Sequence, residues 1–288
     1  MKLALGTAQF GLAYGIASPQ PQISYEESRA IIHYSYSQGM ALLDTAIGYG
    51  ESESRLGEIG VSQWKIVSKL PKFPVGENAT TWVTSSVKTS LEKLKVKSLY
   101  GLLLHHPSDL LNINGPEIYA ALRALRAEGL VEKIGLSIYK PTELDDVFSV
   151  GDFDIVQSPL SVLDRRLITS GWLNRLSEHG VEVHARSVFL QGVLLISTDE
   201  RASKFKRWTR LWDCYDSWVK LSGLTALQAC IAYVSSIPQV QRVIVGVNNL
   251  DHIKEILNTQ TCPPPIWTQD LGVDDEELLN PLSWLNFL

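Results

Sequence analysis

Four residues of this chain have side chains that could carry a reaction between them: Asp44, Tyr49, Lys69 and His105. A phenol, with a free pKa of about 10, is a poor acid at neutral pH. It becomes a useful one where a nearby cation stabilises the phenolate. Lys69 can be that cation, and Asp44 a carboxylate that holds the ammonium in place. Tyr49 would then protonate a carbonyl oxygen, while His105 donates a hydrogen bond that orients and polarises the same oxygen. Positioned proton transfer contributes typically ~10²–10⁴-fold, and oxyanion stabilisation adds a comparable factor. No side chain supplies hydride, so carbonyl reduction by such a set requires a nicotinamide cofactor. Each residue also has an ordinary use: Asp44 as a cap, Tyr49 as packing, Lys69 as a solvated charge, His105 in His105-His106-Pro107 as a core histidine.

The proposal depends on the elements that carry these residues. Asp44 closes the apolar run Ala41-Leu-Leu-Asp44, Lys69 closes Trp64-Lys-Ile-Val-Ser-Lys69, and His105 closes Leu99-Tyr-Gly-Leu-Leu-Leu-His105. Tyr49 sits on the loop before a helix that starts near Glu51, with acidic residues in its first turn. Five further apolar runs read as strands: Leu3–Thr7, Lys133–Ile138, Phe153–Gln157, Val181–Arg186 and Arg242–Gly246. Helical stretches separate them. Ser24 caps one from about Tyr25 to Gln38, with Glu27 at the capping-box position and Gly39 as its stop. Others run from Asn78 to Val96, from Pro116 to Glu128, from Pro141, up to His179-Gly180, from Thr225 to Val234, and from Leu250 to Leu257. Eight strand–helix alternations without a composition break predict a single-domain α/β protein, a (β/α)8 TIM barrel over 1–288. Chemistry in such barrels sits at the C-terminal strand ends. An open dinucleotide-binding sheet would show G-x-G-x-x-G after its first strand, and none is present.

Gly6, Gly11 and Gly15 read either as a loop that approaches a ligand closely or as ordinary loop glycines. A stretch at about 197–222 exceeds a minimal barrel and carries Trp208, Trp212 and Trp218; it is either a lid or pocket wall, or an extra helix packed outside. Regular structure is expected to end at Cys262-Pro-Pro-Pro265, leaving a tail over about 262–288. Its acidic run Asp274–Glu277 reads as a solvated face or a helix start.

The chain has 288 residues, 45% of them hydrophobic and 20% charged, enough for a full core and against wholesale disorder. A net charge of −5 argues against nucleic acid or an anionic membrane as partner. No apolar run approaches the roughly 18 residues of a membrane span, and the first residues reach a turn too soon for a signal-peptide core. Three scattered cysteines with no metal spacing suggest free thiols and a cytoplasmic location.

The segment Asp44-Thr-Ala-Ile-Gly-Tyr-Gly-Glu-Ser-Glu53 is similar to the D-T-A-x-x-Y-G-x-x-E of the aldo-keto reductases. Ile66-Val-Ser-Lys69 resembles that family's lysine strand, and Leu102-Leu-Leu-His-His-Pro107 resembles its L-L-x-H-W-P, which aligns His105 with the catalytic histidine. The resemblance runs from Gly6-Thr7 to Glu255. It implies a barrel that binds an extended NAD(P)H across its C-terminal face and reduces aldehydes or ketones without metal. It also implies coenzyme contacts from Thr7, Ser137, Gln157, Ser187, Phe189, Gly246, Asn248 and Glu255. Four positions depart from the family, one of them Ile256, which replaces an Asn. Ile138 replaces the asparagine that binds the carboxamide. Arg186 replaces the aromatic that stacks on nicotinamide, although a guanidinium can stack as well. His252 stands where Arg or Gln is usual. A neutral His252 gives a 2′-phosphate less than a fixed Arg would, so the expectation is NADP(H), with NAD(H) also accepted. The substrate is a small-molecule carbonyl; oligomeric state is not legible. Two competing readings use the same residues: an accessory or sensor protein that binds nicotinamide with little turnover, and a Schiff-base aldolase with Lys69 as nucleophile. Against the aldolase, Asp44 is expected to raise the lysine pKa.

Overall fold

The apolar runs become eight short strands: β1 (Leu3–Gly6), β2 (Leu42–Asp44), β3 (Lys65–Leu70), β4 (Leu99–Leu104), β5 (Val131–Ser137), β6 (Ile155–Pro159), β7 (Glu182–Arg186) and β8 (Val240–Gly246). Each pairs in parallel with the next, and β1 closes the ring against β8, so Gly6 lies opposite both Asp44 and Gly246. The computed structural model describes residues 1–13, 21–201, 203–259, 262–263, 265, 271–281 and 283–284; Gly15 and parts of the tail lie outside the described residues. Helices α1 (Ala8–Gly11), α2 (Tyr25–Ser37), α3 (Ser52–Ile59), α4 (Ala79–Leu94), α5 (Gly115–Ala127) and α6 (Glu143–Val147) follow the strands in turn. They are succeeded by α7 (Arg166–Thr169), α8 (Trp172–Glu178), α9 (Thr209–Ser222), α10 (Ala226–Ser236), α11 (Leu250–Asn258) and α12 (Glu276–Leu279). The fold is a (β/α)8 barrel.

Side chains alternate across each strand. One set packs against the helices in a continuous apolar layer. The other fills the barrel, where Ala4, Leu42, Val67, Leu103, Ile155 and Ile244 form a second core. Two residues beyond each of these six, along the same inward face, come Gly6, Asp44, Lys69, His105, Gln157 and Gly246. The plug of aliphatic side chains therefore forms the floor beneath the C-terminal mouth.

The helix caps follow local chemistry. Ser24 Oγ accepts the Glu27 N–H, Asn78 Oδ1 accepts the Thr81 N–H, and Thr225 and Gln228 form a reciprocal capping box. Glu27 departs from its expected role: its carboxylate accepts the N–H of Leu250, an orphan donor at the start of α11, and so ties α2 to α11.

The tryptophan-rich stretch is an outer helix. Trp212, Tyr215 and Trp218 are buried, with Trp212 Nε1 donating to Phe205 O (2.8 Å) and Tyr215 Oη to Leu194 O (2.8 Å). Trp208 Nε1 donates to Asp275 Oδ2 (2.8 Å), Arg207 pairs with Glu277, and the Phe205 ring meets Trp284 edge-on. The stretch and the tail thus brace each other on the outside of the barrel. Regular structure resumes after Pro265 in α12, whose first N–H groups are capped by Asp275 within the acidic run. Cys214, Cys230 and Cys262 are free, and burial pushes the Cys230 thiol up to about 12. Among the described residues no helix is long and apolar enough to cross a membrane.

Candidate active site at the barrel mouth

Parallel closure brings Asp44 and Lys69 together from adjacent strands. Lys69 Nζ donates to Asp44 Oδ2 at 2.7 Å and to Thr45 O at 2.8 Å, with the lysine fully buried. The other carboxylate oxygen accepts Gln157 Nε2 at 2.6 Å. Both Asp44 oxygens are thereby engaged, which is what makes a buried ion pair tenable. Burial is the largest influence on Lys69 and pushes its pKa below the ordinary value; the charge and hydrogen bond of Asp44 pull it up, and Arg186 pushes it further down. The net direction is opposite to the rise expected from Asp44 alone, because desolvation outweighs the partner. The amine is nonetheless no free nucleophile. It lies beneath the cavity surface, held in two hydrogen bonds, and the aldolase reading loses its reactive atom.

Tyr49 reaches the same point from the loop after β2. Its ring lies 5.1 Å below Lys69 Nζ and meets the His105 ring edge-on, with centroids 6.0 Å apart and planes at 74°. The loop is set by an unusually close backbone approach. A Cβ on Gly11 would fall 1.8 Å from Tyr49 O, and one on Gly50 (φ 55°) would fall 2.4 Å from Gly11 O. The approach that Gly11 permits is therefore to the tyrosine loop, and not to a ligand. Glu53, two residues after Gly-Glu, fixes the far side. Its buried carboxylate accepts Ser68 Oγ at 2.7 Å and Ser90 Oγ at 2.6 Å, locking α3 to β3 beside Lys69 and to α4. Burial, with Lys69, Arg186 and His106 adding positive charge, depresses the His105 pKa to about 3. At neutral pH its imidazole is uncharged, able to donate a hydrogen bond but with no proton to spare.

A cavity of about 700 Å³ opens from Asp44, Tyr49 and His105 and extends past the β7 loop to α11. That volume is in the range of ligand sites. Of the residues read from the sequence, Thr7, Gln157, Arg186, Ser187, Phe189, Gly246, Asn248, His252 and Glu255 line it; Ser137 does not, but its hydroxyl lies 3.5 Å from Gln157 Oε1. The β7 loop carries a run of left-handed residues, Ser187 (φ 59°), Leu190 (47°), Gln191 (54°) and Gly192 (90°). Such strain clusters at functional sites, and successive backbone amides in this conformation make concave anion sites. At the far end α11 begins with Asn249 as its cap, and Asn248 and His252 beside it line the cavity; the helix dipole there favours negative charge. An extended dinucleotide carrying phosphates fits this lining. Leu195 and Ile196 also reach the cavity, whereas Trp208, Trp212 and Trp218 do not, so the tryptophans build no pocket wall. Tyr139 is a cavity residue to which the sequence reading assigned no role: its ring stacks under the Arg186 guanidinium, 4.6 Å from centroid to Cζ. Its position two residues after Ser137, at the end of β5, was the available signal.

A parallel eight-stranded barrel whose mouth gathers a carboxylate, an ammonium, a phenol and an imidazole over a long groove has the makings of a barrel oxidoreductase. The chain belongs to the aldo/keto reductase family, whose profile matches residues 2–263 and whose members generally use NAD(P)H. Among curated relatives, the uncharacterized oxidoreductase YqkF of Bacillus subtilis is 22% identical over 276 residues, spanning 88% of this chain and 89% of that protein. Norsolorinic acid reductase B of Aspergillus parasiticus is 31% identical over 153 residues, 47% of this chain and 39% of its own. Among solved structures, the aldo-keto reductase AKR11C1 of Bacillus halodurans in its holo form superposes with a TM-score of 0.73 at 20% identity, covering 92% of this chain and 88% of that one, a likeness of fold.

Proposed function

We propose that the protein reduces an aldehyde or ketone to the alcohol with NADP(H) as coenzyme, NAD(H) being the alternative, and that Tyr49 is the proton donor. The observation that carries this reading is the juxtaposition at the mouth: a buried Lys69–Asp44 pair with its ammonium 5.1 Å from the Tyr49 ring centre, and a neutral His105 against the ring's edge. The coenzyme, when bound, supplies the hydride to the carbonyl carbon. The protein's own groups handle the oxygen. Lys69 stabilises the phenolate that Tyr49 becomes on giving up its proton. Asp44 keeps the ammonium in place and offsets its charge. His105 donates to the carbonyl oxygen and steers it toward the phenol, a contribution of the oxyanion type.

Ser137, Gln157 and Arg186 would border the nicotinamide end of the groove. Thr7, Ser187, Phe189 and Gly246 would follow the diphosphate, and Asn248, His252 and Glu255 the adenosine end. His252, at the exposed start of α11, offers a 2′-phosphate a hydrogen bond and the helix dipole but no permanent charge. Preference for NADP(H) should therefore be modest. Titration of both reduced coenzymes by fluorescence, followed by oxidation of each with a broad aldehyde panel at 340 nm, tests the reading. Turnover with tighter NADPH binding is expected. A tighter NADH constant overturns the preference, and coenzyme binding without oxidation by any aldehyde would favour a sensor role instead.

A further inference from the structure

Among the described residues, Arg186 is a cation without a counterion. Its described polar partners are uncharged: Nη2 donates to Ile138 O at 2.8 Å and Nη1 to Ser187 Oγ at 3.1 Å. Its flat face rests on Tyr139. Among the described residues no carboxylate lies within ion-pair distance of the guanidinium. Of the two acids that line the cavity, Asp44 is engaged by Lys69 and Gln157, and Glu255 stands on α11 at the other end. A half-buried charge without a partner is costly, and this one also disfavours positive charge on Lys69 and His105. The side chain is nevertheless held rigidly by two hydrogen bonds and a stack. A guanidinium has five N–H donors in a fixed fork, suited to a carboxylate, so donors remain for a ligand in the cavity that Arg186 and His105 both line.

We infer that the carbonyl compound taken by this site carries a carboxylate close to its carbonyl group, and that Arg186 is the specificity-determining residue that pairs with it. An anion could also come from the coenzyme. The left-handed β7 loop and the α11 N-terminus already offer phosphate-binding features farther along the groove, which leaves the Arg186 fork to the substrate. This assignment rests on the reductase reading of the same cavity. It excludes long apolar aldehydes as the preferred substrates and favours oxo acids and semialdehyde acids.

The test uses shape-matched pairs at saturating coenzyme: 4-carboxybenzaldehyde against 4-carbamoylbenzaldehyde, and phenylglyoxylate against its amide. A charge-assisted hydrogen bond predicts that the wild type prefers the acid in kcat/KM by roughly ten- to a hundredfold. In Arg186→Gln that preference should collapse toward unity, and Arg186→Lys should restore part of it. Equal use of acid and amide by the wild type, or a preference that survives Arg186→Gln, overturns the inference. A fall of both substrates by the same factor in Arg186→Gln also overturns it, since the guanidinium would then serve the coenzyme. Failure of every carbonyl to oxidise either coenzyme would count against the reductase reading itself. Equilibrium titration of the same acid and amide, followed by tryptophan fluorescence, then decides the Arg186 question separately: acid-selective binding lost in Arg186→Gln upholds it, and its absence sinks it.

Discussion

The two ends of the barrel carry nearly the same side chains and do different things with them. At the N-terminal end Tyr100, Lys133, Glu182 and His184 meet across β4, β5 and β7. Glu182 Oε1 accepts Lys133 Nζ at 2.5 Å and Tyr100 Oη at 2.7 Å, while His184 Nε2 lies 3.1 Å from Oε2. Lys133 also donates to the phenol at 2.9 Å. Burial would raise the Glu182 pKa, but hydrogen bonds from His184, Lys133 and Tyr100 hold it well below the carboxylate range; burial also raises the Tyr100 phenol. Here a phenol, an amine, an acid and one nitrogen of an imidazole bond to one another, while His184 Nδ1 is buried without a hydrogen-bond partner. At the C-terminal mouth the acid and amine also pair, yet Tyr49, His105 and Arg186 face a cavity. The residue types alone do not make a reactive site. The difference is that the set at the mouth lines the cavity and the other set does not.

Breaking each set should separate activity from stability. The largest effect is expected from Lys69→Met. Loss of the ammonium leaves Asp44 buried without its counterion, costing about 3–5 kcal/mol in chemical denaturation, and removes the stabilisation of the Tyr49 phenolate, lowering carbonyl reduction by ~10²–10⁴-fold. Glu182→Gln, at the other end, should lower stability by roughly 1–3 kcal/mol while kcat/KM stays within a few-fold. A comparable loss of turnover there would erase the distinction between the two ends.

A pH titration sharpens it further. The folded-state pKa of His105 lies near 3, below the unfolded value near 6.5. Between those values the unfolded chain holds the extra proton, so this contribution is present above pH 6.5 and is lost as pH falls toward 3. The slope is at most about 1.4 kcal/mol per pH unit. Denaturation of the wild type against His105→Leu from pH 7 to pH 4 should show the wild type losing stability more steeply. Identical slopes would mean that His105 is not held neutral.

Much of this architecture could be read from the chain because the signals are local. The apolar runs, the cap at Ser24, the helix starts at Asn78 and Thr225, and the strand-end positions of Asp44, Lys69 and His105 each depend on a few neighbouring residues. What escaped depends on partners brought in by closure. Gln157 engages Asp44 across 113 positions, Glu27 caps α11 across 223, and Tyr100 meets Glu182 across 82. No periodicity marks such pairs. The tryptophans of α9 could face either the pocket or the barrel's flank until the tail was seen to brace them. Arg186 was legible as a departure from the family pattern, but not as a cation without a counterion among the described residues, since that required knowing where the other described carboxylates lie.

Tyr49→Phe tests most directly whether Tyr49 is the proton donor at the barrel mouth. With the variant saturated with NADPH, as followed by fluorescence titration, single-turnover oxidation by an aldehyde at 340 nm should slow by ~10²-fold or more, with coenzyme affinity nearly unchanged. Oxidation within a few-fold of the wild-type rate would contradict it.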